Sequence, residues 1–109
     1  VPRLFGGELP VLNVGTHGGR SCAPSIESAV FDIASRSSYS SVLNGRFQGG
    51  FITRHYGDTA NQVHAVQLEI AQRAYMDEVS GIYDTQKASR LRGTLRTMLE
   101  TCIELAGRG

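Results

Sequence analysis

The densest group of side chains capable of chemistry lies between Asn44 and Tyr56. This segment surrounds Gly49-Gly50, where a backbone can approach a ligand closely. Its side chains of chemical interest are Asn44, Arg46, Thr53, Arg54, His55 and Tyr56. Two arginines can bind two carboxylates, or one carboxylate and a polarised carbonyl, through planar charged hydrogen bonds. The segment predicts either a site for a carboxylate ligand or a solvated hairpin with surface arginines.

A single carboxylate, that of Glu69, interrupts an otherwise apolar strand pattern. Residues 63–70 alternate with period two, so Gln67 and Glu69 share one face and apolar side chains occupy the other. Ligands of α/β sheets collect at the carboxyl ends of strands, which makes Glu69 a candidate general base. An ion pair with Arg73 or Arg54 explains the same residue equally well, and the pattern leaves both interpretations open.

A glycine-rich loop, Gly15 to Cys22, separates a predicted strand from a predicted helix. Backbone N–H groups in such a loop either hold an anion or close a tight turn that needs glycine. The glycine spacing matches neither the Walker A motif nor the dinucleotide fingerprint. Both the anion site and the plain turn therefore stay open as predictions.

The three histidines, His17, His55 and His64, lack the short spacings of a metal site. The sequence therefore predicts no metal ligands within this chain. A lone strand histidine such as His64 is more often a hydrogen-bonded packing residue than a ligand.

The elements that must position these residues alternate between strands and helices. Apolar runs predict strands at 9–14, 42–44, 51–53 and 63–70. Helical spacing predicts helices at 26–35 and from 84 or 85 to about 106. Together they indicate an α/β fold with a mixed or mainly parallel sheet flanked by helices.

Length, composition and charge limit the classes of protein to which this sequence can belong. The 109 residues fit one domain, spanning 1–109, and 40% hydrophobic with 19% charged residues is ordinary globular usage. A net charge of +1 argues against nucleic acid as a partner, and no apolar run is long enough to predict a membrane span. Two cysteines eighty positions apart favour a reducing, cytoplasmic location. The chain starts with Val1 rather than Met, which suggests a fragment of a longer protein.

Four segments in order resemble the C-terminal part of the N-formylglutamate amidohydrolase family, also called N-formylglutamate deformylase. They are LFGGELP at 4–10, NVGT at 13–16 with Ser21-Cys22, NGRFQGGFITRHYG at 44–57, and HAVQLEIAQ at 64–72 with YMDE at 75–78. The resemblance runs from the first residues to about Glu78.

This resemblance implies the C-terminal portion of a zinc-carboxypeptidase-like (phosphorylase/hydrolase-like) fold. It implies a metal-dependent hydrolase that cleaves N-formyl-L-glutamate into formate and L-glutamate during bacterial histidine degradation. Family members are longer, and their ligands for Zn²⁺ or another divalent metal would lie upstream of Val1. The expected partner is a small N-acyl amino acid, and the oligomeric state is left open.

The resemblance also assigns roles to residues of this chain. Glu69 matches the carboxylate that activates the attacking water. Arg46 and Arg54 match a pair that reads the two substrate carboxylates, and His55 and Asn44 are expected to orient the formyl amide. The alternative expectation is a carboxylate-binding or subunit-interaction module that lacks the metal-binding half and is not catalytic.

Overall fold

A computed structural model describes residues 9–107, so the LFGGE part of the first motif, at 4–8, lies outside the described residues. In chain order the strands and helices are β1 (Leu12–Gly15), α1 (Pro24–Arg36), β2 (Ser41–Leu43), α2 (Phe51–Tyr56), β3 (Gln67–Ile70), β4 (Met76–Asp77), β5 (Ile82–Tyr83) and α3 (Thr85–Gly107). Short 3-10 turns occur at Thr59–Asn61 and Gln72–Ala74.

Strand β1 is the centre of a three-stranded sheet with the order β2-β1-β3. Strand β2 runs parallel to β1, with Leu12 beside Ser41. Strand β3 runs antiparallel to β1, with Asn13 beside Glu69. The predicted α/β fold is confirmed, and its sheet is mixed rather than wholly parallel.

The helices α1 and α3 cover one face of this sheet. Leu12 and Val14 of β1 are 0% exposed and belong to a single apolar cluster with both helices. The helical members of that cluster that are themselves buried are Ile26, Val30, Ala34, Leu91 and Met98. Burying each large aliphatic side chain contributes roughly 1.5–3 kcal/mol, so this layer holds β1 in place.

Helix α1 begins where the sequence predicts a helix start. Pro24 occupies the first turn, where its missing N–H has no helical partner to lose. The preceding residue, Ala23, has no capping side chain of its own, and its N–H donates to His64 Nδ1 at 3.0 Å. His64 is therefore a hydrogen-bonded structural residue, as predicted, and it ties the approach to β3 to the start of α1.

The prediction of a strand at 51–53 is wrong, because these residues form the first turn of α2. The reason is local: Gly50 O accepts the N–H of Arg54 at 3.1 Å, which starts a helical turn. Thr53 is buried against Gly49, where a Cβ would lie 2.8 Å from Thr53 Cγ2. A short apolar run does not distinguish a strand from a helix, and here the glycines and their contacts decide.

The strand predicted at 63–70 is confirmed only over its second half, β3. Before Gln67 the chain turns away from β1 and pairs with the glycine-rich loop instead, since Ala65 N–H donates to Ser21 O at 2.9 Å. The predicted alternation holds within the strand. Leu68 and Ile70 pack against the apolar cluster, and Gln67 and Glu69 occupy the opposite face.

The C-terminal third contains one element that the sequence did not predict, the antiparallel β4-β5 hairpin. Its turn includes Gly81 at φ 73°, a conformation that favours glycine. The predicted C-terminal helix is confirmed as α3. Within residues 9–107, no helix combines the length and the apolar character needed to cross a membrane.

A pair of glycine substitutions tests the close contact at the end of β1. A Cβ on Gly15 would lie 2.7 Å from the carbonyl carbon of Gln48, whereas a Cβ on Gly93 in α3 meets nothing within 4 Å. We expect Gly15→Ala to lower the free energy of unfolding by about 1–3 kcal/mol through overpacking. The matched control Gly93→Ala should raise it by up to ~1 kcal/mol through helix propensity. Urea unfolding measures both, and an unchanged Gly15→Ala variant would contradict the contact.

Candidate functional site

The candidate site lies at the edge of the sheet where β1 and β2 end and β3 begins. Parallel β1 and β2 finish side by side at Gly15 and Leu43, and antiparallel β3 starts beside Gly15 with Gln67. The segment that follows β2 crosses this edge, with the backbone of Gln48 packed against Gly15. The edge therefore gathers the glycine-rich loop, the segment at 44–57 and the face of β3 that carries Glu69.

The glycine-rich loop is a closed turn whose amides are already used. The N–H groups of Gly19, Arg20 and Ser21 all donate to Thr16 O at 3.0 Å. The N–H of His17 donates to Gln48 O at 2.6 Å. Of the two predictions for this loop, the tight turn is confirmed, because these N–H groups are directed at protein acceptors rather than outward at an anion.

Asn44 holds this turn from across the sheet edge. Its Oδ1 accepts the N–H of Thr16 at 2.9 Å and that of Gly18 at 3.3 Å, and its Nδ2 donates to Thr16 Oγ1 at 2.9 Å. Asn44 itself adopts φ 51°, a left-handed conformation that asparagine tolerates better than most residues. The structure places the predicted site residue Asn44 at the edge, with its amide engaged in holding the loop.

A buried threonine connects this loop to helix α1, and sequence reasoning missed it. Thr16 is 0% exposed, and its hydroxyl donates to Glu27 Oε2 while accepting the N–H of Gly19 at 3.1 Å. Asn44, Thr16 and Glu27 thus form one polar network, which we call the Thr16 network. The available signal was a carboxylate in the first turn of a predicted helix, which has a favourable interaction with the helix dipole.

Glu69 lies on the sheet face opposite the helices, half-buried, beside Gln67. Its Oε1 accepts a hydrogen bond from Gln67 Nε2 at 3.1 Å. Among the described residues, no arginine guanidinium pairs with this carboxylate, so the predicted ion pair with Arg54 or Arg73 is not formed. Glu69 does not lie at a sheet edge formed by the carboxyl ends of parallel strands, because β3 is antiparallel and its carboxyl end points away from those of β1 and β2.

The side chain of Gln67 connects Glu69 to the edge of the sheet where β1 and β2 end. Its Oε1 accepts the N–H of Gly50 at 2.6 Å, and Gly50 O in turn accepts Arg54 Nε at 3.4 Å. We call this connection, Glu69 to Gln67 to Gly50 to Arg54, the Glu69–Arg54 chain. It joins the candidate base to one of the two predicted substrate arginines.

The remaining predicted site residues are exposed. Arg46 lies in the segment between Asn44 and Gln48, at the edge, with its side chain at the surface. His55 stacks on Phe51 with ring centroids 4.8 Å apart, and Tyr56 meets it edge-on at the same distance. The structure therefore links Glu69 with Arg54 and holds Asn44 nearby, while Arg46 and His55 lie on the same segment with exposed side chains.

Neither a metal centre nor a reactive thiol is assembled in the described part of the chain. Within residues 9–107, no group of three or more His, Cys, Asp or Glu side chains is placed to hold a metal ion. Burial, together with the nearby Glu27 carboxylate, raises the pKa of the Cys22 thiol to about 11. Burial also raises the pKa of Cys102. Both cysteines therefore stay protonated and weakly nucleophilic at neutral pH.

The sequence pattern of one protein family, N-formylglutamate amidohydrolase, matches residues 1–76. The chain is 48% identical over 105 residues to a protein of Pseudomonas aeruginosa named N-formylglutamate deformylase. It is 45% identical over 105 residues to a protein of the same name from Pseudomonas putida. These alignments cover 94% of this chain but only 40% and 39% of the two relatives.

The fold is shared with a solved structure. It is N-formylglutamate amidohydrolase from Ralstonia eutropha JMP134, with a TM-score of 0.77 at 24% sequence identity. The match covers 96% of this chain and 37% of that protein. At this identity the likeness shows the arrangement of strands and helices alone.

A threonine pair tests the Thr16 network. Thr16→Val keeps the shape but leaves the Glu27 carboxylate and the Asn44 amide without the hydroxyl between them, so we expect a loss of about 1–3 kcal/mol in the free energy of unfolding. The control is Thr97→Val, whose hydroxyl donates to Gly93 O on the exposed side of α3. It should change stability by less than about 0.5 kcal/mol. Equal effects of the two substitutions in thermal or urea unfolding would show that the Thr16 network does not stabilise the fold.

Proposed function

Because the chain belongs to the N-formylglutamate amidohydrolase family, we propose that it forms the substrate-binding and base-bearing part of an amidohydrolase that cleaves N-formyl-L-glutamate to formate and L-glutamate. The chain spans about 40% of the length of the curated relatives it matches, so the activity is proposed for the whole protein. The observation that carries the proposal is the Glu69–Arg54 chain, which joins a carboxylate to a cationic surface segment within the matched region.

The proposed reaction uses Glu69 as a proton carrier. A water oxygen adds to the formyl carbon while the Glu69 carboxylate takes the water proton. The bond between the formyl carbon and the amide nitrogen then breaks, and the same proton passes to the departing nitrogen. Formic acid then gives its remaining proton to the amine, so that formate and the ammonium form of glutamate leave and Glu69 is again ionised.

Arginine chemistry suits the proposed substrate. N-formyl-L-glutamate carries two carboxylates, and each guanidinium can bind one through two parallel hydrogen bonds. Arg46 and Arg54 are both exposed, so neither guanidinium is buried within the described part of the chain. In this proposal Arg54 binds the carboxylate closer to Glu69, His55 orients the formyl amide, and Asn44 contributes to that orientation through the glycine-rich turn that it holds.

The metal requirement is part of the proposal, but residues 9–107 do not fit a metal centre. In this proposal the ligands for Zn²⁺ or another divalent ion lie upstream of Val1, and no step above is assigned to a metal. A zinc-carboxypeptidase-like fold for the whole protein and a cytoplasmic role in histidine degradation complete the proposal. The alternative of a module without catalytic activity is not favoured, since both relatives are named as deformylases.

The assignment of Glu69 is tested in the whole protein with Glu69→Gln. This change keeps the size of the side chain but removes its ability to accept a proton, so we expect kcat for formate release to fall by roughly 10²–10⁴-fold. Metal content measured on the same samples should stay that of the unchanged protein. Near-normal turnover with a lowered melting temperature would move Glu69 to a structural role.

The two arginines are tested by comparing substrates. Arg46→Ala and Arg54→Ala should each reduce kcat/KM for N-formyl-L-glutamate by about 1–3 kcal/mol of transition-state binding. One of them should have a smaller effect on a formyl amino acid without the side-chain carboxylate, such as N-formyl-L-norvaline. Arg96→Ala, on the exposed side of α3, is the control and should leave both rates unchanged. Equal losses on both substrates for both variants would show that neither arginine binds the side-chain carboxylate.

A further inference from the structure

We propose that Gln67 is a positioning residue that aims the Glu69 carboxylate at the sheet edge and couples it to the segment that binds the substrate. The inference rests on the proposed function, because it assumes that Glu69 is the base. Gln67 carries no proton chemistry of its own. Its contribution is geometric, and it follows from the two hydrogen bonds of one side-chain amide.

The direction of this amide is fixed by chemistry. Gly50 presents an N–H, which can only donate, so the atom of Gln67 that lies 2.6 Å from it must be the carbonyl oxygen. The amide nitrogen then faces Glu69 and donates to Oε1 at 3.1 Å. A reversed amide would set two donors against each other at Gly50 and two acceptors against each other at Glu69, so the orientation follows from its partners.

The position of Glu69 makes such a guide necessary. In antiparallel β3, Glu69 is beside Asn13, two residues inside the sheet from the end of β1, whereas Gln67 is beside Gly15 at the edge itself. Both side chains share a face, so Gln67 stands between Glu69 and the edge. A hydrogen bond from Gln67 holds one carboxylate oxygen toward that edge and leaves the other oxygen, Oε2, for a proton.

The side-chain amide of Gln67 is also connected, through Gly50, to the backbone of Arg54. Gly50 precedes α2, and its carbonyl accepts both the backbone N–H of Arg54 at 3.1 Å and the side-chain Nε at 3.4 Å. A displacement of Arg54 that moved Gly50 would therefore pull on Gln67 and change the direction of Glu69. Binding of a substrate carboxylate and orientation of the base are coupled through one residue, Gly50.

Three variants of the whole protein separate the parts of this proposal. Gln67→Met keeps a similar length and removes both hydrogen bonds. Gln67→Glu keeps an acceptor for the Gly50 N–H but sets a carboxylate against Glu69. Gln86→Met, at an exposed position in the first turn of α3, is the matched control.

The first measurement is hydrogen exchange at the Gly50 amide, which needs no activity. We expect exchange to become at least about tenfold faster in Gln67→Met and to stay near that of the unchanged protein in Gln67→Glu and Gln86→Met. Unchanged exchange in Gln67→Met would show that the contact does not exist in solution and would overturn the proposal. If Gln67→Met fails to fold, Gln67→Glu still tests the proposal, because it retains an acceptor for the Gly50 N–H.

The second measurement is turnover in single and double variants. Loss of a hydrogen-bond partner that orients a functional group commonly costs about 10- to 100-fold in activity, so we expect that fall in kcat for Gln67→Met and a larger one for Gln67→Glu. In a Glu69→Gln background, Gln67→Met should cause no further loss, because the group that it orients is already inactive. The same fold-loss in both backgrounds would overturn the proposal. Normal turnover of Glu69→Gln alone would instead refute the proposed role of Glu69 as the base. It would leave the hydrogen-exchange result at Gly50 unaffected, so the two failures can be distinguished.

Discussion

The structure depends on the close approach of two backbones at Gly15. Strand β1 is buried between β2 and β3, and at its last residue the backbone of Gln48 and Gly49 lies where a side chain would otherwise be. This contact brings the segment after β2 across the end of β1. The hydrogen bond from His17 to Gln48, the packing of Thr53 on Gly49 and the bond from Gly50 to Gln67 all follow from it.

Two groups of hydrogen-bonded polar residues stabilise the region where the segment after β2 crosses the end of β1. On the side of the helices, the Thr16 network fastens the glycine-rich turn to α1 and to Asn44. On the opposite face of the sheet, the Glu69–Arg54 chain connects β3 with α2. Both assemblies join residues that are far apart in sequence through side-chain amides, each of which donates and accepts at once. Asn44 and Gln67 therefore play equivalent structural parts, one for the turn and one for the carboxylate.

The sequence predicted the elements whose pattern is long and periodic. The predictions of helices α1 and α3, and of a shared sheet face for Gln67 and Glu69, were correct, because repeated apolar spacing shows which side of a helix or strand is buried. The strand at 51–53 was wrong, since three residues carry no period and the deciding contacts come from Gly49 and Gly50. The choice between an anion site and a tight turn at the glycine-rich loop needed Asn44, which lies 28 positions away from Thr16. The resemblance located the functional segments, but only the fold showed that Gln67 connects two of them.

The central place of β1 also constrains how the chain folds. Its antiparallel neighbour β3 lies far along the sequence, since Asn13 pairs with Glu69, 56 positions later. Pairing over such a distance requires a large loop to close before any contact compensates for the lost chain entropy, and folding slows as such distant pairings dominate. During synthesis Leu12 and Val14 emerge well before their partners in β3 and α3. Among the described strands β1 is the most buried, so its apolar residues stay uncovered by β3 and α3 during that interval, which favours aggregation of the nascent chain.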